Sequence, residues 1–399
     1  MGVQLPDGRP HHLHGSQALK ACFDGLELRG VRVLVREDLN VPLERGRITD
    51  DTRIRAARPT LDKLSQMGAR TVVMSHLGRP GGKPNLDFSL RPVAEAMRIR
   101  FVHDCLEPVG DMREGETVLL ENVRFYSEEE RNDPEFARGL AEHGDLYVND
   151  AFAASHRAHA SVVGVARHLP AYAGYLMLSE LKALHLALDE PKRPLVAIVG
   201  GAKVSTKAGV LAHLLPRVDT LGIVGAMANT FFKARGAEVG SSLVEDEALD
   251  AARKVEAEGG DKLLLPVDSV IAEKVEPGVP TRVAGVDGIE PGWRILDIGP
   301  ATADLFRQRL RGAGTIVWNG PAGVSEIGEF AAGTRALGEA IAASGAYSLV
   351  GGGDTAAAIE KLGLKGFSHI STGGGATLEA MEGKVLPGVA ILKEEEGGG

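Results

Sequence analysis

The chain has little cysteine: Cys22 and Cys105 are its only two. They are too few and too far apart for a disulfide framework or a metal knuckle, and both read as buried free thiols in a reducing compartment. Long hydrophobic runs are missing as well. No stretch approaches the ~18 uninterrupted apolar residues of a membrane span, and Met1 to Gly15 hold no apolar signal core, so the expectation is a soluble, cytoplasmic protein without a membrane partner. Nor is there a surplus of positive charge: 45 Lys and Arg against 54 Asp and Glu give a net charge of −9. Nucleic acid selects a basic surface and is therefore not expected as a partner. Any bound anion must be held by a local cluster of cations, so the position of each arginine becomes informative. Two nucleotide signatures are also absent. With neither a Walker A pattern nor a G-x-G-x-x-G, a P-loop enzyme and a dinucleotide dehydrogenase are both disfavoured.

What the sequence does have is a regular alternation. Its 399 residues suggest two domains at roughly 100–200 residues each. In the first half, residues 33–35, 71–74, 118–120 and 146–148 read as buried strands. Helical patterns run over 51–66, 90–98 and 134–143, with Pro59 inside the first of them. The second half repeats the rhythm with strands at 195–199, 221–224, 263–266, 316–318 and 347–350. This alternation predicts parallel strands joined by crossover helices, an α/β fold with two sheets. Between the halves, Leu178, Leu181, Leu184, Ala187 and Leu188 have helical spacing, followed by the polar linker 189–194. A connecting helix and a boundary near residue 185 follow. Residues 1–17, with His11, His12 and His14, read as a frayed tail rather than a metal site, because a ligand cluster needs a rigid frame. Residues 394–399 read as disordered.

Ligands of open parallel sheets collect beyond the carboxyl ends of the strands. In the first half those positions hold Arg36, Glu37, Asp38 and Asn40, then His76 and Arg79, then Glu121 and Arg124, then Asp150 with His156, Arg157 and His159; Arg53 opens the helix after Asp50 and Asp51. Their convergence predicts a pocket for a small, multiply charged anion gripped by arginine forks.

In the second half the strand ends are rich in glycine. Gly351, Gly352 and Gly353 precede Asp354 and Thr355; Gly200 and Gly201 precede Lys203 and Lys207; Gly373, Gly374 and Gly375 follow Ser371 and Thr372. A strand ending in glycines lets backbone amides approach an anion, and the helix that follows turns its positive end toward it. Asp354 would cap that helix or hold a divalent cation. The two lysines, four apart at a helix start, would point to the same side.

These stretches, with residues 32–42, 48–54, 75–80, 121–125, 148–152 with 156–159, 318–323 and 371–376 with 382–388, resemble phosphoglycerate kinases in order and spacing from about residue 26 to 392. The resemblance implies a bilobal fold, two Rossmann-like parallel-sheet domains joined by a connecting helix and hinge. Residues 1–184 would bind 3-phosphoglycerate, 185–382 the nucleotide, and 383–399 would return to the first domain. It implies Asp38, Asn40, Arg53, His76, Arg79, Arg124 and Arg157 as ligands of the acid. Lys207, Glu326, Gly352, Gly353, Asp354 and Thr355 would bind ADP or ATP, with Asp354 toward Mg2+. Arg53, Lys203, Gly353 and Gly374 would serve the transfer itself, in a monomer that closes about its hinge. The rival readings are a kinase of another small carboxylic acid and a non-catalytic nucleotide- or anion-binding protein.

Overall fold

The computed structural model describes residues 21–393. The tail expected over 1–17, with its histidines, and the end at 394–399 lie outside the described residues. Contacts divide the chain into two compact units, one running to Lys182 and resuming at Val385, the other spanning Ala183–Lys384.

The first unit is built on six strands: β1 Arg32–Arg36, β2 Arg70–Met74, β3 Arg100–Val102, β4 Thr117–Leu120, β5 Leu146–Asn149 and β6 Ala171–Ala173. They form one parallel sheet in the order β3-β4-β2-β1-β5-β6. Val33, Leu34 and Val35 are fully buried, because helices cover both faces of a parallel sheet and leave no solvent side to alternate toward. The helices are α1 Thr52–Gln66, α2 Arg91–Met97, α3 Ser127–Arg131, α4 Pro134–Ala141 and α5 Tyr175–Leu184. Ile54, Ala57, Leu61 and Leu64 form the buried stripe of α1, at the spacing of one helix face. Pro59 lies within α1 without ending it; it is exposed, so the carbonyl it leaves unpaired can meet water. Asp133 starts α4 by accepting the N–H groups of Glu135 and Phe136, each at 3.0 Å, with Pro134 at the first helical position. From β1 the chain winds outward through β2, then returns to place β5 on the other side. The switch point of the sheet therefore lies between the ends of β1 and β5, where Glu37, Asp38 and Asp150 follow.

The last described residues belong to this unit. In the short helix Pro387–Ala390, the Gly388 N–H donates to the Ser155 carbonyl at 2.8 Å and its carbonyl accepts from Asn149 Nδ2 at 2.9 Å. A Cβ at Gly388 would stand 2.7 Å from Ser155 Oγ, so only glycine fits this approach.

The second unit carries β7 Leu195–Val199, β8 Thr220–Ile223, β9 Leu263–Leu264, β10 Asp268–Ala272, β11 Arg282–Gly285, β12 Arg294–Ile298, β13 Thr315–Asn319, β14 Tyr347–Gly351 and β15 His369–Ile370. Six of them form a parallel sheet in the order β9-β8-β7-β13-β14-β15, with its switch point between β7 and β13. The other three make an antiparallel sheet, β11-β10-β12. The helices are α6 Ala208–Leu214, α7 Met227–Ala234, α8 Leu249–Gly259, α9 Pro300–Leu310, α10 Ala332–Ala343, α11 Gly353–Leu362 and α12 Gly375–Met381. Trp318 is buried in the core with Val196, Ile316, Val350 and Phe306, and its Nε1 donates to the Gly320 carbonyl at 2.8 Å. The largest core side chain thus fixes the glycine turn at the end of its own strand.

Candidate active site

In the first unit, β1 ends on Arg36, whose side chain is fully buried. Its Nε donates to Ser161 Oγ at 2.8 Å, one Nη donates to the Glu37 carbonyl, and the other lies 3.0 Å from His76 Nδ1. Buried Glu129 accepts from the N–H and Oγ of the same serine at 2.8 and 2.6 Å. Burial pushes Arg36 down and Glu129 up, while each charge favours the other. A guanidinium only donates, so His76 Nδ1 accepts and Nε2 carries the hydrogen.

Asp38 forms an ion pair with Arg53, which reaches it from the first turn of α1. Asp38 Oδ1 also accepts the Asn40 N–H at 3.1 Å, and Asn40 Oδ1 accepts the Gly78 N–H at 2.8 Å. Arg124 donates to the Gly78 carbonyl at 2.9 Å. Gly78 is therefore held at both ends, in a left-handed conformation where a Cβ would stand 2.3 Å from the Phe88 ring. Arg79 beside it is exposed. Arg157 is half-buried, its Nε 3.1 Å from His156 Nε2.

The electrostatics join these groups. Burial, then Arg36, Arg124 and Arg53, hold His76 well below its ordinary range. Burial and the arginines Arg124, Arg36 and Arg157 bring His159 down to about 4, and burial with neighbouring Arg36 brings Arg124 to about 10. Two imidazoles held below their ordinary range, by burial first and then by four guanidiniums, show the cations of several strand ends gathered in one place. Arg36, not among the expected ligands, is central to it. Its signal in the sequence was a charged residue closing a wholly apolar strand.

The second unit brings three glycine turns to one cavity of about 390 Å³, lined by Gly200, Gly201, Lys207, Asn319, Gly353 and Gly374 among others. At the switch point β7 and β13 run side by side to their ends, and the turns that follow them approach closely. The Gly200 N–H donates to the Asn319 carbonyl at 2.7 Å, and a Cβ on Gly320, at φ +102°, would lie 2.2 Å from the Gly200 oxygen. Thr355 Oγ1 accepts the Gly320 N–H at 2.7 Å and ties the β14 turn to the same place. Asn319 Oδ1 accepts from Lys207 Nζ, while its Nδ2 is buried without a partner. An unpaired buried donor beside glycine amides fits an anion. Burial lowers Lys207, with Asp354 and Glu382 opposing the shift.

Two details differ from the sequence reading. Lys203 and Lys207 do not share a helix face: residues Ser205–Lys207 form a 3-10 turn and α6 begins only at Ala208. Glu245 accepts the Ser205 N–H at 2.9 Å and holds that turn in place; Lys203 is exposed. Asp354 does not cap α11. Gly352 occupies the cap position with φ +94°, and Asp354 stands exposed inside the first turn. Asp354 also lines a second cavity of about 360 Å³, more apolar, with Phe232, Leu243, Ile298 and Glu326 on its wall.

One parallel sheet ends in arginines and the other in glycine turns, a combination of cations and backbone amides suited to phosphorylated ligands. A family model described as phosphoglycerate kinase matches residues 23–384. The phosphoglycerate kinase of Moorella thermoacetica is 51% identical over 94% of this chain and 100% of its own length. That of Rubrobacter xylanophilus is 54% identical, covering 94% and 99%. The solved structure of phosphoglycerate kinase from Coxiella burnetii superposes with a TM-score of 0.88 at 46% identity, over 93% of this chain and 98% of that one. The chain belongs to the phosphoglycerate kinase family, enzymes that transfer phosphate to a carboxyl group.

Proposed function

We propose that the first unit holds 3-phosphoglycerate, that the second holds ADP or ATP, and that the chain catalyses reversible phosphoryl transfer between 1,3-bisphosphoglycerate and ADP. The observation that carries this reading is the first-unit rim, where neutral His76 lies among Arg36, Arg53 and Arg124. Asp38 aims Arg53, Asn40 and Arg124 fix the Gly78 loop, and His76 Nε2–H, Arg79 and Arg157 supply further donors to the acid. Lys207, Glu326, Gly352, Gly353, Asp354 and Thr355 are the proposed nucleotide contacts, with phosphates in the glycine cavity and the base in the more apolar one.

In the ATP-consuming direction the nucleophile is a carboxylate with an ordinary pKa of roughly 4, already ionised at pH 7. No general base is required. The work left to the chain is positioning, charge stabilisation and exclusion of water, as a loose metaphosphate-like transition state demands. Arg53 and Lys203 neutralise the moving phosphoryl oxygens, and the amides near Gly353 and Gly374 serve the same charge. Mg2+ suits this donor set: it prefers one or two carboxylates plus substrate phosphates to a protein cage. Among the described residues no group of three or more acidic, His or Cys side chains could hold a metal by itself, and Asp354 at the rim of both cavities offers the single carboxylate. When bound, the ion screens phosphate charge.

Membership of the family and the buried free thiol of Cys105 support a monomer of the reducing cytoplasm. Gel filtration at micromolar concentration should give a mass near 42.1 kDa; a dimer removes that part of the reading. The activity itself is tested by turnover of 3-phosphoglycerate with Mg-ATP in a coupled assay, beside other small carboxylic acids. Binding without turnover indicates the binding protein, and preference for another acid the other kinase.

A further inference from the structure

The switch point of the first sheet carries a pair of carboxyl groups that the proposed transfer does not use. Glu37 follows β1 and Asp150 follows β5; these strands are parallel neighbours that pair Arg36 with Asn149, and the Asp150 N–H donates to the Arg36 carbonyl at 2.9 Å, so the two wholly buried carboxyl side chains come side by side at the next register position. Neither oxygen of Glu37 nor Oδ2 of Asp150 faces an N–H or O–H donor. Two anions cannot rest against each other in such a place. One proton turns the repulsion into a strong O–H···O bond.

Asp150 also reaches a second element. Its Oδ1 accepts the Met177 N–H at 2.9 Å in the first turn of α5. The Tyr175 N–H donates to Thr60 Oγ1, also at 2.9 Å. A Cβ on Gly174 would lie 2.3 Å from the Asp150 carboxyl carbon, so the chain can enter α5 beside Asp150 only as glycine. On the other side, Glu37 stands between Arg36 and Asp38, and its carbonyl accepts from Arg36 and from Ser75 Oγ.

We propose that Glu37 and Asp150 share a single buried proton, and that this bond is the positioning element tying the arginine rim of the acid site to the first turn of α5. Its bearing on catalysis rests on the acid-site reading above; the proton itself does not. The groups facing the pair are few. Arg36 on β1 favours ionised Glu37, while the Thr60 hydroxyl from α1 and the Leu176 and Met177 N–H groups from α5 favour ionised Asp150. Burial outweighs them, holding Glu37 well above its ordinary range and Asp150 up at about 6. Asp150, which accepts the helix N–H, is the anion, and Glu37 donates.

The sign of the pH effect follows. Above about pH 5 both carboxyls are ionised in the unfolded chain, whereas the folded chain keeps one proton. Folding takes up that proton, so its contribution to stability falls as pH rises. Each proton taken up changes the unfolding constant about tenfold per pH unit, until the pair itself loses the proton.

Glu37→Gln replaces the shared proton by an amide N–H that donates to Asp150 without titrating. Urea unfolding of wild type and E37Q between pH 5.5 and 8.5 should give a ratio of unfolding constants that climbs by up to about tenfold per pH unit; a ratio independent of pH overturns the shared proton. In infrared spectra at pH 7.5, wild type should show a neutral-carboxyl carbonyl band that E37Q lacks, and identical spectra overturn it equally. Should E37Q not fold, D150N serves in both measurements, since its amide can donate to Glu37 and its Oδ1 can still accept from Met177. For the positioning role, KM for 3-phosphoglycerate should rise on the alkaline side in wild type and stay flat in E37Q, with kcat parallel in the two. KM profiles that coincide leave the proton standing and remove its role at the rim. A chain without turnover defeats the acid-site reading and leaves the unfolding and infrared results to decide the proton.

Discussion

Arg53 stands at the start of α1 with its guanidinium tethered to Asp38 and about a third of its surface open. On the proposed reading it follows charge that develops on a phosphoryl group rather than charge already present on the substrate. Arg53→Ala should therefore lower kcat by about 10³-fold or more, the range known for arginines that act on such transition states, while ADP affinity changes little. Steady-state kinetics and calorimetric ADP titration separate the two, and equal losses in both contradict the assignment. Asp354 is exposed and makes no capping bond, so its carboxylate is available to a cation. Asp354→Asn should shift the Mg2+ dependence of turnover to higher concentration; an unchanged Mg2+ titration removes Asp354 from the site.

Among the elements, the close approach of the turns after β7 and β13 shapes the glycine cavity. Gly320 combines φ +102° with backbone atoms of Gly200 where its Cβ would be. Gly320→Ala should cost about 2–4 kcal/mol, from backbone strain and overpacking together, and should abolish ADP binding. A variant with the wild-type urea midpoint and affinity contradicts this account of the turn. The same elements explain what the sequence could disclose. Strands β1, β2, β7 and β14 were legible because strands covered on both faces are unbroken apolar runs. Strands β3 and β6 have three residues each, and β11 is mostly exposed, so none offers a period to read. At the site, the charged residues after each strand could be found by position alone. The centrality of Arg36, the unpaired Nδ2 of Asn319 and the Glu37–Asp150 contact could not, since each depends on which strand lies beside which. The lysines misled for a related reason: the turn before α6 is held by the Ser205 N–H donating to Glu245, about forty residues further along.

For the molecule as a whole, a net charge of −9 coexists with a first-unit rim where burial, and then neighbouring guanidiniums, hold two imidazoles below their ordinary range. An acidic protein that concentrates arginine at one set of strand ends directs small anions there rather than binding polyanions over its surface. With the acid proposed on one unit and the nucleotide on the other, transfer requires both substrates in near-attack range with water shed. Small-angle scattering should then give a smaller radius of gyration with both ligands than with either alone; no change contradicts a closing motion. The most direct test of the central claim is single-turnover transfer from Mg-[γ-32P]ATP to 3-phosphoglycerate. The account predicts label on the carboxyl oxygen as an acyl phosphate, in wild type and not in Arg53→Ala on the same timescale. Label retained on ATP while both ligands bind, or equal transfer by the two proteins, would contradict it.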